Sequence, residues 1–198
     1  MVALSRQEQK KQTREMLLNS ALKVFSSKGL MATNTLDVAK DAGVAHGTLF
    51  LHFPTRDDLL TEVIDSFGDE IGFEFAGVAE KTESVRELLL ALLRVIEKNE
   101  CFYTRLVIEG PLLPRDARNA IFLIQTGIAL QLERVMKKGI AEGRLRKLPL
   151  HLLVNSWIGM LNHYLANRDK FAPEGSVIAR HGIELVDYFI NLIVREGE

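Results

Sequence analysis

Two stretches near the C-terminal end, residues 150–170 and 175–195, carry apolar side chains on nearly every face of the helices they would form. In the first these are Leu150, Leu152, Leu153, Val154, Trp157, Ile158, Met160, Leu161, Tyr164 and Leu165. In the second they are Val177, Ile178, Ile183, Leu185, Val186, Phe189, Ile190, Leu192, Ile193 and Val194. A helix that is apolar all round needs cover on several sides. A chain of 198 residues has few other elements to give two terminal helices such cover. Their outer faces are therefore expected to meet a second copy of the chain, in a four-helix interface to which each subunit gives two helices. The alternative is a deep core within one monomer.

The rest of the chain also has helical periodicity, without β-alternation or a fixed internal repeat. From 6 to 28, Leu17, Leu18, Ala21, Leu22 and Phe25 form one stripe, and Gly29 follows as a stop. Asn34 is placed to cap a short helix over 35–42, with Asp37 at the third position of a capping box. Gly43-Val44-Ala45 leads into another short helix over 45–53, closed by Pro54. Thr55, with Asp58 at its third position, caps a fourth helix whose stripe is Leu59, Leu60, Val63, Ile64 and Phe67. Residues 68–84 hold three glycines and a polar end, the expected joint between two units. Further helices are expected over 84–98, 101–109 and 114–143. The fold class is all-α: a small N-terminal unit over 6–67, with a helix-turn-helix at about 34–53, and a larger helical unit over 68–198.

Composition excludes some functions and localises others. At 47% hydrophobic and 26% charged the chain has the make-up of a soluble globular protein. Its longest apolar run, LLLALL at 88–93, is far short of the roughly 20 residues a membrane span needs. The N-terminal MVALSRQEQKKQTRE lacks the apolar core of a signal peptide. The one cysteine, Cys101, permits no intrachain disulfide, which fits a reducing cytoplasm, and a lone cysteine in an apolar segment is expected to be a small buried hydrophobe. The net charge of −1 is uninformative, but residues 1–60 carry +2 and the remainder −3. A basic end on an otherwise acidic chain points to local contact with a polyanion, or to a solvated tail. No nucleophile motif, phosphate loop or paired metal-ligand spacing is present, so neither catalysis, cofactor nor metal is expected.

The helix pair joined by Gly43-Val44-Ala45 has the proportions of a helix-turn-helix. The first helix braces the second, which buries Leu49 and Phe53 and turns its other side outward. A DNA major groove admits one such helix. Gly47 allows close backbone approach, and His46, Thr48 and His52 can hydrogen-bond bases or phosphates.

The stretch ALKVFSSKGLMATNTLDVAKDAGVAHGTLFLHFPTRDDLL resembles the N-terminal domain of the TetR family of bacterial transcriptional regulators. The likeness lies in Phe25, Gly29, Thr33-Asn34, Asp37-Val38-Ala39, Ala42-Gly43-Val44-Ala45, His46-Gly47-Thr48-Leu49-Phe50, Leu51-His52-Phe53 and Thr55-Arg56 before Leu59-Leu60. It covers about residues 10–67. It implies a homodimeric, ligand-responsive regulator, usually a repressor, that reads a near-palindromic operator in double-stranded DNA. By position it implies DNA contacts from Thr33, Asn34, His46, Gly47, Thr48, His52 and Arg56, with Lys10, Lys11 and Arg14 near the backbone. Ala45 stands where the family commonly has Ser or Thr, Phe50 where it has Tyr, Leu36 where Arg is frequent, and Leu51 where it has a polar or aromatic residue. These departures remove charge and hydroxyls from the DNA side, and an exposed Leu can touch thymine methyls. A helical small-molecule-binding or interaction protein with a weakened DNA contact is the alternative reading.

The resemblance also implies an effector site in the larger unit. Tyr103, Arg105, Phe122, Gln125, Trp157, Met160, His163 and Tyr164 combine aromatic bodies with a few polar tips, the make-up of a small-molecule pocket, or of core and dimer surface. The residues do not identify the effector.

Overall fold

The computed structural model describes residues 5–195. The final three residues of the expected larger unit, and the first four of the stretch tested for a signal peptide, lie outside them. Among the described residues the chain is helical, running through α1 (Arg6–Lys28), α2 (Thr35–Asp41), α3 (His46–His52), α4 (Arg56–Ala79), α5 (Val85–Lys98) and α6 (Glu100–Glu109), then a 3-10 turn (Gly110–Leu112), α7 (Arg115–Ala141), α8 (Leu150–Ala166), α9 (Arg168–Phe171) and α10 (Val177–Ile193).

Local chemistry sets most of these boundaries. Ser5 and Glu8 form a reciprocal capping box at α1, and Thr55 and Asp58 form another at α4. Asn34 accepts a bond from the Asp37 amide at 2.9 Å, but the Asp37 carboxylate goes chiefly to Lys28 at 2.7 Å. That pairing holds Asp37 below the usual carboxylate range. Ser84 caps α5 and Ser176 caps α10.

Residues 68–79 are helical and not a loop. Helix α4 runs unbroken through Gly68, Gly72 and Gly77 to Ala79. Phe67, Ile71, Phe75 and Ala79 continue its buried stripe at four-residue spacing, and this burial outweighs a helix penalty of roughly 1 kcal/mol per glycine. Gly68 also has a packing role, because a Cβ there would lie 2.7 Å from Ile124 of α7. The polar link expected up to residue 84 shrinks to the few residues between α4 and α5. At the other end of the chain, α8 stops at Ala166 instead of reaching 170. Asn167 leaves helical geometry there and donates from Nδ2 to the His163 carbonyl at 2.8 Å.

One continuous core joins the N-terminal helices to the rest, from Leu17 and Phe25 through Phe67 and Phe102 to Trp157 and Phe189. Helix α6 bridges its two ends. Near its start the buried Glu100 carboxylate accepts from the Val177 amide at 2.8 Å, the Ile178 amide at 3.1 Å and the Ser176 hydroxyl, capping α10. At its other end Glu109 accepts from the Met31 amide at 2.7 Å, just beyond α1. The α7–α8 link is tied to the end of α10 by the Arg146 amide donating to the Ile193 carbonyl at 2.8 Å.

The two terminal apolar helices are each buried on one side only. Leu153, Val154, Trp157, Leu161 and Leu165 of α8 and Val177, Leu185, Val186 and Phe189 of α10 lie in the core. Leu152, Ile183, Tyr188 and Leu192 stay exposed.

Candidate nucleic-acid interface

The turn between α2 and α3 is made by Gly43, whose φ of +67° lies in the left-handed region that side chains disfavour. The Gly43 amide bonds back to the Lys40 carbonyl, and the Val44 amide to that of Ala39. Helix α3 then starts at His46, and Ala45 at its cap position offers no side-chain bond. Leu49 and Phe53 are fully buried and dock the short helix. The Arg14 guanidinium sits 4.7 Å from the centre of the Phe53 ring and pairs with Glu62 at 2.8 Å. Leu49 and Phe53 therefore dock α3 as the spacing implies.

The other side of α3 is open. Ala45, His46, Gly47, Phe50 and Leu51 are exposed, with Thr48 half-buried beside them. A Cβ added to Gly47 would meet nothing within 4 Å, so packing inside this chain does not demand glycine there. His46 Nε2 lies 2.9 Å from the Thr35 hydroxyl, and the His46 ring meets Phe50 edge-on at 4.9 Å. His52 is half-buried, and its Nδ1 has no hydrogen-bond partner among the described residues. Burial first, and then the nearby charges of Lys10 and Arg14, push the His52 pKa down.

Several expected contact residues turn inward. Thr33 is buried, and its hydroxyl donates to the Gly29 carbonyl at 2.7 Å. Arg56 donates from Nε to the Thr33 carbonyl at 2.8 Å and from Nη2 to the Leu30 carbonyl, clamping the link between α1 and α2. The Asn34 side-chain oxygen caps α2. Lys10 is exposed, and Lys11 is exposed with a loose 3.9 Å contact to Glu15. The open face thus holds Ala45, His46, Gly47, Thr48 and Leu51, with Lys10 and His52 at its edge. Phe50 on α3 and Leu36 on α2, not among the expected contacts, are also exposed. The sequence signal for both was the apolar residue at a position where the family pattern is polar.

The eight residues expected to share an effector pocket are scattered instead. Tyr103 is buried, donates to Asn162 Oδ1 at 3.3 Å, and has its pKa pushed up to about 12 by burial. Trp157 is wholly buried against Phe189, and its Nε1 has no partner among the described residues. Arg105 pairs with Glu109 at 3.4 Å. Phe122 is 65% exposed and, with Gln125, lines a 240 Å³ recess beside Asn162. Met160 is half-buried, His163 is exposed, and Tyr164 stacks on Phe171 at 4.1 Å. The cause is helical geometry: at 100° per residue, Trp157 and His163 point to different sides of α8. Other hollows exist: a 290 Å³ slot between α4 and α7 lined by Gly68, Gly72, Phe75, Leu123 and Gly127, and a 730 Å³ cleft lined by Ser84, Arg86, Arg144, Leu145 and Ile190. Cys101 is exposed rather than buried, with its Sγ 3.5 Å from the Arg168 guanidinium. Among the described residues, no helix is long and apolar enough to cross a membrane, and no group of three or more His, Cys, Asp or Glu is arranged to hold a metal ion.

Fold and site together define an all-α protein with an N-terminal helix-turn-helix. Residues 17–63 match the family described as "Bacterial regulatory proteins, tetR family". The chain is 32% identical over 71 residues to the HTH-type transcriptional regulator AcrR of Shigella flexneri, covering 36% of this chain and 33% of that protein. It is 32% identical over 79 residues to the HTH-type transcriptional repressor KstR2 of Mycolicibacterium smegmatis, covering 40% of this chain and 38% of that one. These matches span between a third and two fifths of the relatives' length. The fold extends further: the transcriptional regulator FadR from Bacillus subtilis, solved in complex with stearoyl-CoA, superposes with a TM-score of 0.70 at 19% identity, over 89% of this chain and 97% of that one. The N-terminal part of the chain thus matches the tetR family of bacterial regulatory proteins over residues 17–63, and the likeness beyond it is one of fold.

Proposed function

We propose that this protein is a sequence-specific DNA-binding transcriptional regulator that acts as a ligand-responsive repressor. The observation that carries the reading is α3, held by two buried side chains, with a face left open among the described residues. In the proposed dimer the exposed residues of α8 and α10 face their counterparts, and two α3 helices about 34 Å apart enter successive major grooves of a near-palindromic operator. Lys10 and Lys11 approach the phosphates. Residues 6–67 form the DNA-binding part and residues 68–198 the effector-binding and dimerisation part. The functional boundary runs through α4, so that helix carries any change between them.

An effector binding the larger part would change the spacing of the two α3 helices, with a coupling free energy of about 1–3 kcal/mol. FadR's complex with stearoyl-CoA supports an effector site in this fold without naming the ligand here. The protein acts in the cytoplasm, on DNA, without catalysis, cofactor or metal.

The second reading is a helical ligand-binding or interaction protein with a weakened DNA contact. Exposed Leu36, Phe50 and Leu51, where charge would be useful to a DNA binder, favour it. A gel shift against DNA flanking the protein's own coding region separates the two. Nanomolar, salt-sensitive binding supports the regulator, and no binding at low salt without added ligand supports the alternative.

A further inference from the structure

We infer that the operator contact is made in large part by apolar side chains, and that Leu36, Phe50 and Leu51 select thymine by its 5-methyl group. The inference rests on the reading of α3 as the DNA-facing helix and adds what that helix recognises. Leu51 is 79% exposed and Leu36 is 59% exposed, an extent ordinarily associated with polar residues on so small a unit. Phe50 is 41% exposed. His46 joins the two helices beside them: its Nε2 lies 2.9 Å from the Thr35 hydroxyl of α2, and its ring lies against Phe50 of α3. Both helices of the motif thus carry exposed apolar side chains, α2 in Leu36 and α3 in the other two.

The surroundings say what covers them. Arg14 lies 4.7 Å from the Phe53 ring at the end of α3 and pairs with Glu62, and the exposed Lys10 stands one turn before it on α1, a cationic flank beside α3. The N-terminal thirty residues carry a net charge of +4. An apolar protein partner would leave that flank without a counter-charge, whereas a DNA duplex supplies phosphates at the edge and a groove floor at the centre. In the major groove, base edges display hydrogen-bonding groups at every pair, and the one apolar group among them is the thymine methyl. Leucine and phenylalanine offer no bond to the other groups, and pressing them against an unpaired base donor or acceptor costs the desolvation of that group. The same side chains therefore favour A·T pairs and reject G·C pairs at the positions they cover. His46 and Thr48 remain for polar contact on either side.

The test uses the full chain and two versions of one duplex. An operator is first enriched from random-sequence duplexes by rounds of binding and recovery. Its thymines are then replaced by deoxyuridine, which removes only the methyl groups. We expect enrichment of A·T pairs in both half-sites, and a loss of affinity of about fourfold for each buried methyl removed, the factor that corresponds to burial of one methyl-sized group. The triple variant Leu36→Ala, Phe50→Ala, Leu51→Ala changes exposed side chains only, and its melting temperature checks that it is folded. It should bind the thymine and deoxyuridine duplexes within twofold of each other. Equal affinity of the unaltered protein for both duplexes overturns the inference, and so does a thymine preference that survives in the folded triple variant. Failure to enrich any duplex is a different result: it overturns the DNA-binding reading itself, before the methyl comparison is reached.

Discussion

The two ends of this molecule both leave apolar side chains in the open, but they hold them in different ways. In the N-terminal part, two buried residues hold α3, and long-range bonds hold the link between α1 and α2 before it: Arg56 donates to the Leu30 and Thr33 carbonyls, and Glu109 accepts from the Met31 amide. Around α8 and α10, long apolar stripes pack directly on the core, and one buried carboxylate, Glu100, fixes the start of α10. The difference fits the partners proposed for each. A helix that must match a stiff polymer is too short to be stabilised by its own stripe, so its position is set by its neighbours. Helices that meet their own copies can be long, and packing suffices.

The largest effect is expected from Phe53→Ala. Removing a fully buried ring from the α3 anchor should cost about 3–5 kcal/mol and abolish DNA binding while α8 and α10 stay paired. Urea unfolding and sedimentation would show the loss of stability with retained dimer. Glu100→Gln should come next, at about 1–3 kcal/mol, because a buried charge-assisted cap on three donors is weakened. If the two ends are held as described, that change lowers dimer stability and leaves the operator sequence preference alone.

Arg56→Ala and Lys10→Ala sharpen the contrast when measured together. The first should lower the melting point, by the equivalent of about 1–2 kcal/mol, through loss of the clamp on the α1–α2 link. It should not alter how steeply affinity falls with salt. The second should leave the melting point unchanged and lessen the salt slope by about 1 for each Lys10 that meets a phosphate. The smallest effect concerns His52. Burial lowers its folded pKa below 6.5, so the unfolded chain takes up a proton first as pH falls. Stability contributed by neutral His52 is therefore present above about pH 6.5 and declines as acid is added. His52→Gln should flatten that part of a pH–stability curve followed by thermal melting.

The N-terminal elements were legible because each depends on residues adjacent in sequence. Asn34 and Thr55 cap, Gly43 turns, and Leu49 and Phe53 lie four apart. The glycines of α4 misled because their cost is local while the gain that overrides it, packing on α7, is not. Thr33 and Arg56 fit a contact pattern by position, yet the bonds that turn them inward join parts of the chain up to 26 residues apart. The bond from Glu109 to Met31 spans 78 residues, and no spacing rule reaches it. The expected effector residues had suitable chemistry but lay on different helix faces, as Trp157 and His163 do. Residue type alone does not say which faces converge on a cavity.

The central claim is that two copies of α3 read double-stranded DNA. The most direct measurement is equilibrium binding of the full chain to the duplex upstream of its own coding region, by fluorescence anisotropy across a salt series, with the mass of the complex determined alongside. The account predicts nanomolar affinity, a steep fall with salt, and an even number of chains per operator. No binding at 50 mM salt, or a complex with a single chain per operator, would contradict it.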